Sequence, residues 1–76
     1  MEHKYKTSSL ALAAAIALYL PLDQVDKNNP TKAIFTFKES EKLQDVVTKY
    51  FRGELRVEPQ AYFDRIKLLK TLLYQV

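Results

Sequence analysis

Between Leu22 and Lys38 the chain reads LDQVDKNNPTKAIFTFK, and over this stretch the hydrophobic period changes from that of a helix to that of a strand. KAIFTFK is rich in β-branched and aromatic residues, LDQVDK is a weaker strand candidate, and NNPT between them supplies turn chemistry. The pattern predicts a β-hairpin. In its second strand Ala33, Phe35 and Phe37 share one face, while Ile34 and Thr36 share the other with Lys32 and Lys38. The phenylalanine face needs an apolar partner, and the flanking segments supply it.

Upstream lies LALAAAIALYL, Leu10 to Leu20, without a charged side chain. Its alanines favour helix, Thr7, Ser8 and Ser9 offer capping hydroxyls, and Pro21 stops the run. A helix apolar on every side is normally buried over most of its circumference, by the rest of the domain or by a second copy. Residues 1–6 are polar, show no periodicity and read as a flexible terminus.

Downstream, Ser40 is placed to cap a helix in which Leu43, Val46, Val47, Tyr50 and Phe51 form an amphipathic stripe. Gly53, the chain's single glycine, should close it in the left-handed conformation. Pro59 suits the first turn of a last helix, with Glu58 at its positive end. Along that helix Tyr62, Ile66, Leu69, Leu73 and Val76 form one stripe, flanked by Ala61, Phe63 and Leu72. The predicted order is αββαα, a single small α+β domain over residues 7–76, with the hairpin packed against three helices.

A chain of 76 residues has room for one core only. Its composition, 47% hydrophobic and 28% charged, is that of an ordinary globular protein. There is no cysteine to form a disulfide or a thiolate metal site, and a cytoplasmic setting is the default expectation. The eleven-residue apolar run would span about 16 Å as a helix, roughly half of a bilayer core, so no membrane crossing is expected. Lys4 and Lys6 ahead of it suggest a secretory signal, but no small-x-small cleavage site follows.

Catalytic chemistry is poorly represented. The one histidine, His3, lies in the terminus, a single glycine cannot build a phosphate loop, and Asp23 with Asp26 or Glu39 with Glu41 read as surface pairs. No enzyme activity, cofactor, metal or small-molecule substrate is expected. Binding chemistry is better represented: Lys49, Arg52, Arg56, Arg65 and Lys67 gather around the joint between the last two helices, with Tyr50 and Tyr62 close by. Such a mixture grips phosphates and stacks on bases. Against it, Glu54, Glu58 and Asp64 could neutralise the same arginines, and the formal net charge is only +3. Leu68 and Tyr74 lie about 120° from the last stripe, on opposite sides of it, and suit an apolar interface.

The segments TSSLALAAAIAL, AIFTF and YFRGELRVEPQAYFDRIKLLKTLLY together resemble a family of short bacterial and phage proteins that form a domain of unknown function. In that family a threonine-serine start to an apolar helix precedes an F-x-F strand. A Tyr-Phe or Tyr-Tyr pair, a small residue, an acid-hydrophobic step, a proline and a Lys-Leu-Leu-Lys-like helix follow. The resemblance spans residues 7–74. The family's acid shortly after the threonine-serine start is missing here, which leaves the first helix more apolar than the pattern. The resemblance implies a bacterial or mobile-element setting and carries no activity with it. The expected function is a non-catalytic interaction module that binds a protein or self-associates as a homo-oligomer; the alternative is a nucleic-acid-binding module using the Arg/Tyr cluster.

Overall fold

A computed structural model describes residues 3–28 and 32–74. Its elements are β1 (Lys4–Thr7), α1 (Leu10–Ala17), β2 (Gln24–Asp26), β3 (Ile34–Lys38), α2 (Glu41–Arg52) and α3 (Pro59–Tyr74). The α+β class, the hairpin and the three helices are as the sequence predicts, but a strand precedes them. The segment read as a flexible terminus is β1, an edge strand of a three-stranded antiparallel sheet ordered β1-β3-β2. Tyr5 lies opposite Phe37 and Thr7 opposite Phe35, and both are half-buried, while Lys4 and Lys6 are exposed. A four-residue alternation with one aromatic is too short to register as a period. What makes it a strand is the unpaired side of β3.

On its other side β3 pairs with β2, Val25 opposite Phe35, which forms the predicted hairpin; residues 29–31 of its turn lie outside the described part. Phe35 and Phe37 are fully buried and join Leu12 and Ile16 of α1, Leu43 and Val46 of α2 and Leu69 of α3 in one core. The opposite face of the sheet carries Lys4, Lys6, Gln24, Asp26 and Lys38 around Thr36. Two layers account for the molecule's slab shape, 36 × 34 × 18 Å.

Helix α1 is the centre of the domain. Ser9 caps it, its Oγ accepting from the Leu12 amide at 3.2 Å. Leu12 through Ile16 are buried and α1 packs on both α2 and α3, so the surrounding chain covers it. The short side chains of Ala13, Ala14 and Ala15 let its neighbours approach on every side. The helix ends at Ala17, three residues before the predicted stop, and the Tyr19 and Leu20 amides both bond the Ile16 carbonyl in a closing turn.

Candidate interaction surface

Helix α2 begins as predicted, with Ser40 Oγ accepting from the Leu43 amide at 3.1 Å. It ends at Gly53, whose φ of 73° turns the chain while its amide and those of Glu54 and Leu55 return to carbonyls of the last turn. The linker then runs without strand structure, with Leu55 packed on the core and Val57 half-buried. Glu58 caps α3, its carboxylate accepting from the Gln60 and Ala61 amides at 3.1 and 2.6 Å. The joint between the helices is therefore fixed at both ends.

The acids expected to neutralise the arginines are largely engaged elsewhere. Glu58 serves the helix cap, Asp64 accepts from the Gln60 side chain at 3.0 Å, and only Glu54 approaches an arginine, Arg52, at 4.0 Å. Among the described residues no carboxylate lies in ion-pair range of Arg56 or Arg65. Lys49 pairs with Asp45 one turn away on α2, at 3.1 Å.

Nor do the candidate residues form one cluster. Lys49 and Arg56 line a groove between α2 and the linker, whereas Arg65 lies beside Leu18, Ala61 and Leu68 in a separate depression between α1 and α3. Lys67 sits 4.7 Å over the Phe63 ring. Tyr50 and Tyr62 line a small pocket in the joint with Ala15, Gly53, Leu55 and Val57. Tyr62 donates to the Ala11 carbonyl at 3.0 Å, and burial, with Tyr50 adding to it, raises its hydroxyl above the ordinary tyrosine value. These tyrosines pack the joint.

Phe51, assigned to the stripe of α2, and Phe63, assigned to the flank of the stripe of α3, lie on the surface: Phe51 is 70% exposed and Phe63 is 55% exposed. Each lies about 90° from the centre of its stripe. A neighbouring element would have to cover them, and none does. Leu68 is 48% exposed, off the stripe as its angle implies; the Tyr74 side chain lies outside the described part. Tyr19 and Lys42, which the sequence reading passed over, line the groove with Lys49 and Arg56. Lys42, Val46 and Lys49 stand at i, i+4 and i+7, a spacing that places them on one helix face.

The class defined by these features is a small two-layer α+β domain, with a helical layer over one face of an antiparallel sheet and apolar and cationic side chains displayed on its helices. No helix among the described residues is long and apolar enough to cross a membrane. The chain belongs to the family described as Domain of unknown function (DUF5659), whose model matches residues 2–75. No curated protein and no solved structure matches it.

Proposed function

We propose that this domain is a non-catalytic interaction module that docks on a protein partner through its helical layer, in the cytoplasm of a bacterium or phage-infected cell. The observation that carries the reading is the uneven burial of its large apolar residues. The core residues of α1, α2 and α3 are enclosed, yet Phe51, Phe63 and Leu68 remain about half or more exposed on α2 and α3. Enclosure of Leu12 to Ile16 in α1 leaves these residues, with Tyr19 beyond its end, as the large apolar side chains available for association.

Solution mass by light scattering, at low and high salt and with a mixed oligonucleotide pool, tests this reading. An apolar contact with a second copy holds or tightens as salt rises, whereas phosphate contacts weaken steeply. Capture of a protein partner by the tagged domain, lost on Leu68→Asp while the circular dichroism spectrum is kept, is the expected result. Mass gained only with oligonucleotide at low salt would replace the protein reading with the nucleic-acid one. Capture kept by a folded Leu68→Asp would take Leu68 out of the interface.

A further inference from the structure

The groove between α2 and the linker has an arrangement that neither the core nor the exposed aromatics explain. Its floor is apolar: Val46, buried on α2, Leu55, packed on the core from the linker, and the ring of Tyr19. The Tyr19 hydroxyl donates to the Arg56 carbonyl, which fixes the linker wall against the end of α1. Cations line it as well, Lys42 and Lys49 from α2 and Arg56 from the linker, together with the acids Asp45 and Glu54. Arg56 and Lys42 have no carboxylate within ion-pair range among the described residues. Lys49 has an exposed i,i+4 pair with Asp45, both side chains half or more open to screening water.

We infer that this groove seats a short acidic segment of a protein partner, with an apolar side chain set on Val46 and Leu55 and carboxylates facing Lys42, Lys49 and Arg56. The inference rests on the protein-binding reading for the class of partner and differs from it in the site. Charge complementarity and the apolar floor select a peptide over a nucleic acid. A phosphate backbone presents an unbroken line of negative charge, which Asp45 and Glu54, also lining the groove, would repel. A peptide can space its carboxylates to avoid them and place an apolar residue between. The groove's volume, about 330 Å³, is at the low end for an enclosed small-molecule site and suits a side chain laid in from above.

The test is an NMR titration of the intact domain with three probes: a twelve-residue peptide repeating Glu-Glu-Leu, the same peptide with glutamine for glutamate, and a twelve-nucleotide oligothymidylate. The acidic peptide should shift the amides of Tyr19, Lys42, Lys49 and Arg56. The glutamine peptide should bind at least tenfold more weakly. Lys42→Ala with Arg56→Ala, both exposed positions, should cut affinity for the acidic peptide about tenfold with the spectrum of the free domain retained. No shift, or shifts confined to other surfaces, overturns the inference, as does tighter binding of oligothymidylate at these residues. Shifts around Phe51, Phe63 and Leu68 are read in the same spectra. A groove without response beside a responsive aromatic face sinks the inference alone, and a responsive groove beside a silent aromatic face moves the docking site from Phe51, Phe63 and Leu68 to the groove.

Discussion

Gly53 holds a φ of 73°, and a Cβ added there would meet no atom within 4 Å. The cost of Gly53→Ala is thus confined to the backbone, about 1–2 kcal/mol, and should be read as a lower urea midpoint with an unchanged slope. A second residue-scale outcome concerns acid. Lys4 donates to Asp23 at 2.7 Å, and this hydrogen bond is the main cause holding the Asp23 carboxyl below its ordinary 3.8; the nearby charges of Lys4 and Lys38 add to it, against some desolvation. A folded value below the unfolded one means that the contribution to stability is in place above pH 3.8 and is lost as pH falls through the lowered value. An NMR titration of Lys4→Met should bring the Asp23 midpoint back up toward the ordinary carboxylate range. At this scale the capping residues were legible, because Ser9, Ser40 and Gly53 act on neighbouring backbone. Phe51 and Phe63 were not: a residue at the margin of a stripe is buried or exposed according to what packs beside it.

Strand β1 illustrates what an element owes to its surroundings. Tyr5 faces the core opposite Phe37, while Lys6 lies on the open face. Tyr5→Ala should destabilise the domain by about 2 kcal/mol and Lys6→Ala by less than about 0.5, as read from thermal or urea unfolding. Equal, small effects would mean that the segment contributes nothing to the folded state. The two helices with strong local signals were legible, α2 at both ends through its cap and C-terminal glycine and α3 at its start through its proline; Val76, the last residue of the predicted stripe, lies outside the described residues. The first helix was legible as an element but not in its place in the fold. Composition made it a buried helix, yet only the packing of α2 and α3 on it decided that its own chain supplies the cover.

The whole molecule is a slab 18 Å thick, two layers with one core between them. Its acidic and basic residues are interspersed, and the groove gathers three cations, Lys42, Lys49 and Arg56, with two acids, Asp45 and Glu54. The groove was only partly visible in the sequence, because residues drawn together there come from α2, from the turn after α1 and from the linker. The arginine cluster inferred from proximity along the chain divides for the same reason, Arg56 turning to one side of the joint and Arg65 to the other. The sheet order has a bearing on how the chain is made. Both edge strands pair only with β3, and the register runs from Lys4 to Lys38. As the polypeptide leaves the ribosome, two strands and the most apolar helix emerge before any ladder can close. Until β3, α2 and α3 follow, the nascent chain must carry its alanine-rich helix uncovered.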